Sequence, residues 1–285
     1  MLKTKKINKI KVKPIPVKKI DTDKIKGYDM FPEIYANIFL CAKKKSGKTS
    51  CVSKILKECV NKDTRVFIFC PTHRKDESYK HIANFLDSKD IRYEMFDNII
   101  EDKIDNLELI YGELIKEYGE EENEEIKNKD NFDPELFEKY INDHSICNFV
   151  DEEDCFKVVV KKKRKPKKIA PEIIFLFDDV SNQLKTPSIA RLLKTNRHFK
   201  SKVIISSQWP NDVHPDGRNM FDYWLLWGGH SFNKIETIHT NASLPIDLEE
   251  FYSIYINTTK NKFNFLYVDT VNNKYRKNFD EEIIM

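Results

Sequence analysis

The octet Ala42-Lys43-Lys44-Lys45-Ser46-Gly47-Lys48-Thr49 sets a glycine, a lysine and a hydroxyl in unbroken order. It departs from the phosphate-loop pattern G-x-x-x-x-G-K-[ST] only at Ala42. Phosphate chemistry needs each part. Backbone N–H groups of such a loop, and of the helix it opens, point at a β-phosphate, where the helix dipole favours negative charge. Gly47 permits close backbone approach, since a Cβ there would collide with phosphate. Lys48 reaches the β/γ oxygens, and Thr49 offers its hydroxyl to Mg²⁺. Ala42 is compatible with the loop if its φ is negative and not if it is positive. Lys43, Lys44 and Lys45 can lean on a γ-phosphate or stand in solvent, and the sequence leaves both open. The predicted phosphate-binding stretch runs from Ala42 through Ser50, at the start of the helix.

A second group of residues suits the same chemistry. Ile173-Ile174-Phe175-Leu176-Phe177 is an apolar run ending in Asp178-Asp179, the form of a Walker B strand. Asp178 is predicted to hold Mg²⁺ through its waters, and Asp179 to polarise the attacking water. The second task more often falls to Glu; the shorter Asp must sit closer or act through another water. A third run, Val203–Ser207, ends in Gln208. P-loop ATPases with an extra strand between the two Walker strands put a polar sensor there, and Gln208 reads either as that sensor or as a plain strand end before Trp209-Pro210. Arg197 and Arg218 stand in loops before and after this run. Exposed arginines are common, so each also reads as a solvated surface residue, and His198 as a packing or capping residue.

These residues need strands and helices to bring them together. Ile34–Cys41, Val66–Cys70, Ile91–Phe96, Ile173–Phe177, Val203–Ser207, Tyr223–Trp227 and Phe263–Val268 are short, nearly continuous apolar runs. Such runs suit strands buried on both faces of a parallel sheet. Val52, Ile55, Leu56, Cys59 and Val60 recur at helical spacing and give one apolar helix face over Ser50–Val60. Strand, loop, helix and strand then make a βαβ crossover. A further helix is predicted with Thr186 as N-cap, Pro187 at its first position, and Ile189, Ala190, Leu192 and Leu193 facing inward.

Charge divides the chain further. Net charge is +3, yet residues 1–19 hold eight lysines and no acid, and residues 161–168 hold seven basic residues, which leaves −12 for the rest. Such tracts gain affinity for phosphate backbones by releasing counterions; they equally suit a solubility tail or a nuclear-import signal. Positions 119–135 carry eight carboxylates against Lys127 and Lys129. We expect a basic N-terminal arm (1–29), one ATPase domain (30–118 and 169–275), a charged, partly disordered insertion (119–168) and a C-terminal tail (276–285). The six cysteines form no C-x-x-C pair and no zinc-like cluster with histidine, which predicts free thiols. No run of eighteen apolar residues is present, and no apolar stretch follows the first lysines. The expectation is a soluble protein that is not secreted.

With these residues assembled, the chain resembles the genome-packaging ATPases of poxviruses, giant viruses and virophages, in the FtsK/HerA superfamily. The resemblance rests on N-I-F-L-C-A-K-K-K-S-G-K-T, then F-L-F-D-D-V, then N-R-H-F-K-S-K-V-I-I-S-S-Q, and spans about residues 30–270 without the insertion. It implies an α/β, RecA-like P-loop ATPase core, mostly parallel sheet with helices on both faces. It also implies ATP and Mg²⁺, double-stranded DNA, a homo-oligomeric ring (pentamer or hexamer), and capsid or portal-vertex proteins as partners. The host-cell cytoplasm, the viral factory or the virion would house it. In that family a basic residue at the R-H position and another beyond the glutamine strand sit near the neighbouring subunit's nucleotide. Here these are Arg197, expected at the edge of the nucleotide face and acting in trans, and Arg218 as the alternative. Ala42 and the insertion depart from the family pattern.

Other readings remain distinct. A helicase or other nucleic-acid-stimulated ATPase would keep all these motifs. A nucleotide kinase would keep the phosphate loop without needing the Asp pair and the glutamine strand. A non-catalytic DNA-binding scaffold is disfavoured by the intact Lys48, Thr49, Asp178 and Asp179. A GTPase lacks support because no N-K-x-D motif occurs, Asn61-Lys62-Asp63 having the wrong spacing.

Overall fold

The described residues form eleven short strands, seven of which fall on the apolar runs. In chain order they are β1 (Asn37–Cys41), β2 (Arg65–Phe69), β3 (Arg92–Phe96), β4 (Ile100–Glu101), β5 (Ile104–Asp105), β6 (Ile173–Asp178), β7 (Ser201–Ser207), β8 (Tyr223–Trp227), β9 (Phe265–Asp269), β10 (Lys274–Lys277) and β11 (Glu281–Ile283). The structure, a computed structural model, describes residues 20–117 and 168–284. All but the β4–β5 hairpin join one sheet in the order β11-β10-β9-β8-β1-β7-β6-β2-β3. Strands β3, β2, β6, β7, β1 and β8 run parallel, and β9, β10 and β11 continue antiparallel from β8. The fold is α/β with a mostly parallel sheet, as expected.

Every residue of β1, β6, β7, β8 and β9 is buried, which is why these segments read as unbroken apolar runs. Alternate residues serve opposite faces. Ile38, Leu40, Val66, Ile68, Ile174 and Leu176 meet α1 (Lys48–Cys59) and α2 (Glu77–Ser88). Phe39, Phe67, Phe69, Phe175 and Phe177 meet a helix over 106–117 (α3) and α4 (Pro187–Thr195). Farther along that face lie α5 (Phe232–Asn241) and α6 (Leu248–Thr258). The rings of Phe67 and Phe175, and of Phe69 and Phe177, stack at 5.2 and 4.8 Å across neighbouring strands. Each such pair adds about 0.5–1.5 kcal/mol to the burial of its area.

α4 begins as predicted, with Thr186 at the N-cap and Pro187 first. Two expected boundaries need correction. Residues 276–285 are no tail through Ile284: β10 pairs with β9 and β11 with β10, and Phe279 packs edge-on against Phe31 and Phe265. Residues 20–29 are not a free arm either. Thr22–Lys24 forms a 3-10 turn, and Ile25 bridges Ile169 in parallel. Lys26 N donates to Ile169 O, and Ile169 N to Lys24 O. The basic arm through residue 19 and the insertion through residue 167 lie outside the described residues. Cys41, Cys51, Cys59 and Cys70 are buried free thiols. Among the described residues no helix is long and apolar enough to cross a membrane.

Candidate nucleotide and metal site

Parallel strands put all their C-terminal ends on one edge of the sheet. Strand β7 lies between β1 and β6, with Cys41 opposite Ser207 and Asp178 opposite Ser206. The loop after β1, the acids after β6 and Gln208 after β7 therefore meet on the same edge. One strand, β7, thus separates the strand that leads into the loop from the strand that ends in the two acids.

Gly47 caps α1 at φ 90°, a left-handed conformation that a side chain would strain. A Cβ there would meet the Phe263 ring at 3.2 Å, so in this structure an aromatic side chain is what stands against it. Lys45 is also left-handed at φ 63°, whereas Ala42 is not among the positive-φ residues. The condition for alanine at that position is met. Lys43, Lys44 and Lys45 are all exposed, and Lys43 Nζ lies beside Gly229.

Lys48 Nζ stands 2.8 Å from Asp178 Oδ1 and 2.6 Å from Asp179 Oδ1. Burial alone would lower the Lys48 pKa, but the charges of Asp178 and Asp179 outweigh it and hold the ammonium above its ordinary value. Asp178 is buried and Asp179 is about half exposed. Asp179 sits at φ 56°, in the left-handed region where Asp and Asn are enriched and longer side chains are not. That backbone gives a physical reason for Asp where Glu is commoner.

Sequence reading missed Tyr79. It sits in the first turn of α2, is buried, and its hydroxyl donates to Asp178 Oδ2 at 2.7 Å. Burial, then the Asp178 charge, raises the phenol well above its usual pKa, so it stays a donor. Tyr79→Phe leaves a buried carboxylate oxygen without that donor. It is expected to cost about 1–3 kcal/mol in urea melts, and an unchanged midpoint would show that the bond adds nothing.

Gln208 is half-buried at the end of β7, and its carbonyl accepts from Cys41 Sγ at 3.4 Å. Asp212, the next carboxylate along the chain, accepts from Ser207 Oγ and Trp209 N and so closes the capping box of a 3-10 turn. Beyond β8, His230 Nε2 lies 3.2 Å from Cys41 O, and Lys234 Nζ is 2.9 Å from His230 Nδ1. Burial, then Lys234, pushes His230 down to about 4, so the imidazole is neutral near pH 7. This packed support under the loop left no sequence signal, since its members come from separate elements.

Arg197 is not at the edge expected for it. It precedes β7, whose seven residues span roughly 20 Å, so it lies at the sheet edge opposite its own phosphate loop. It is exposed, and its Nη2 lies 3.4 Å from Asp222 Oδ1, which precedes β8. Arg218 is half-buried and fastened by bonds to Val213 O at 2.9 Å and Asn211 O at 3.1 Å.

The residues fit a magnesium nucleotide. Ser46 Oγ is buried in the loop without a hydrogen-bond partner among the described residues. Thr49 follows Lys48 in the first turn of α1, and Lys48 itself reaches the Asp178 carboxylate. Among the described residues no cluster of three or more His, Cys, Asp or Glu could hold a metal alone. Mg²⁺ needs none, because it takes one or two protein oxygens and completes its shell with waters and phosphates.

No family model and no curated protein matches this chain. Among solved structures it is similar to the genome packaging NTPase B204 from Sulfolobus turreted icosahedral virus 2. Against the complex with AMPPCP the identity is 15%, over 89% of this chain and 100% of the other, with a TM-score of 0.49. Against the complex with ATP-gammaS it is 17%, over 88% and 98%, with a TM-score of 0.46. The DNA-packaging ATPase B204 from Sulfolobus Turreted Icosahedral Virus aligns at 15% identity over 88% and 98%, with a TM-score of 0.46.

Proposed function

We propose that this chain is an Mg²⁺-dependent ATPase that drives double-stranded DNA, in the service of packaging a viral genome. The observation that carries the catalytic part is Lys48 Nζ held between Asp178 and Asp179 at the mouth of a glycine-capped loop. In this reading the amides of Lys43 through Ser50 hold the phosphates, and Lys48 turns from the acids to the β/γ oxygens. Thr49 and Asp178 hold Mg²⁺, which when bound neutralises phosphate charge. Asp179, released from Lys48, accepts a proton from the attacking water, and Gln208 orients that water or the γ-phosphate.

The DNA part rests on charge and on where the basic tracts attach. The paired backbones of Lys24–Lys26 and Ile169 bring the exits of both tracts together, at the edge opposite the nucleotide. Two basic segments leaving from one place suit one phosphate backbone. Arg197, exposed on that edge and out of reach of its own loop, acts on a neighbouring subunit's nucleotide in a ring, with Arg218 the alternative. A ring of five or six copies at a capsid or portal vertex completes the proposal.

The test measures ATP hydrolysis with and without double-stranded DNA, alongside mass in solution. Stimulation by DNA, without phosphate transfer to a nucleoside, is expected, and transfer to a nucleoside would favour a kinase. Deleting 161–168 should flatten the salt dependence of DNA binding and leave basal hydrolysis intact. Each lost phosphate contact lowers the slope of log K against log salt by about 0.9. An unchanged slope would assign the tract to targeting or solvation.

A further inference from the structure

Phe263 is a large hydrophobic side chain left mostly in solvent. It is 59% exposed, in the turn between α6 and β9. Its φ is 75°, a conformation that is a genuine outlier for a bulky residue and costs conformational energy. The turn that carries it is bonded and packed on both sides. Asn264 N bonds Asn261 O, Thr259 Oγ1 bonds Tyr255 O, and Gly228 lets Thr259 approach so closely that a Cβ would lie 2.8 Å from its carbonyl. The outcome is a ring laid against Gly47 of the phosphate loop, with Lys262 Nζ 4.9 Å from its centroid.

The side of the loop on which the ring lies is informative. β1 is flanked by β7 and β8. Lys48, Asp178, Asp179 and Gln208 gather on the β7–β6 side, where the terminal phosphate belongs. Phe263 lies on the other side, because β9 starts opposite Trp227 at the end of β8. A nucleotide threaded with its γ-phosphate toward the acids presents its nucleoside end toward β8 and β9.

We propose that Phe263 is the platform on which the nucleobase stacks, an inference that rests on the nucleotide site described above. A bare ring reads only the π-face that every base offers, so it favours the larger purines over pyrimidines and separates adenine poorly from guanine. The strained, exposed placement is then the form of a recognition residue held ready before its ligand arrives.

Direct binding of ATP, CTP and inorganic tripolyphosphate, each with Mg²⁺, tests this in the full chain. Phe263→Ala should weaken ATP on the order of tenfold, the range for loss of one base–aromatic stack. It should weaken CTP less and leave tripolyphosphate unchanged, while Phe263→Trp restores ATP affinity. The tryptophan should also be quenched by ATP and not by tripolyphosphate. Equal ATP affinity in wild type and Phe263→Ala overturns the proposal while leaving the phosphate site standing. Equal weakening of ATP and tripolyphosphate also overturns it, assigning the ring to support of Gly47. If wild type binds neither ligand, the phosphate site itself fails, and the platform with it.

Discussion

Lys48→Ala should abolish measurable ATP turnover, a loss on the order of 10²–10³-fold or more, since it removes a pre-positioned positive charge from the developing phosphate charge. Two effects compound. The cation is lost from the β/γ oxygens, and buried Asp178 loses the ammonium that stood 2.8 Å from it, keeping the hydrogen bond from Tyr79. Steady-state hydrolysis with a parallel ATP-binding measurement checks this. A variant keeping most of its rate would end the phosphate-loop assignment.

Asp179→Asn should separate binding from chemistry. Asparagine tolerates the left-handed φ of 56° as well as aspartate does, so the turn is kept and only the proton acceptor is removed. Retained Mg·ATP binding with turnover lowered about 10²–10⁴-fold is expected of a lost general base. Single-turnover hydrolysis against nucleotide affinity reads the two apart. Normal hydrolysis would move the base elsewhere, and Asp212 is poorly placed to inherit the role because it caps its own turn. Asp178→Ala should differ by weakening Mg·ATP retention itself.

The sequence made this much legible where chemistry constrains neighbours along the chain. The loop from Ala42 to Thr49 needs given residue types at contiguous positions, and the strand before Asp178 needs burial on both faces. The same applies to Thr186-Pro187, where a local cap starts a helix. Tyr79 and Phe263 escaped because their roles exist only through contacts with Asp178 and Gly47, distant in the chain. The last strands escaped for another reason. Lys274–Lys277 and Glu281–Ile283 are the last two strands at one end of the sheet and rich in charge, and each buries too little to show an apolar run. Arg197 is a different kind of miss. Strand direction alone puts a residue preceding β7 at its start, and the expected place contradicted that direction.

The position of β1 also sets when the protein can acquire its site. The strand carrying the phosphate loop pairs only with β7 and β8, Asn37 lying opposite Val203 and Ile38 opposite Tyr223. A chain emerging from the ribosome has made the loop long before either partner exists. β2 and β3 can associate early, but β1 must wait for its first partner until Ser207 has been synthesised and for its second until Trp227. The charged segment adds to the wait in time more than in free energy, since doubling a loop costs only about 0.6 kcal/mol. Such long-range parallel pairing is slow, and an unpaired apolar β1 is the segment most open to aggregation meanwhile. The proposed nucleotide site is thus assembled late, after the second half of the chain has closed around the first.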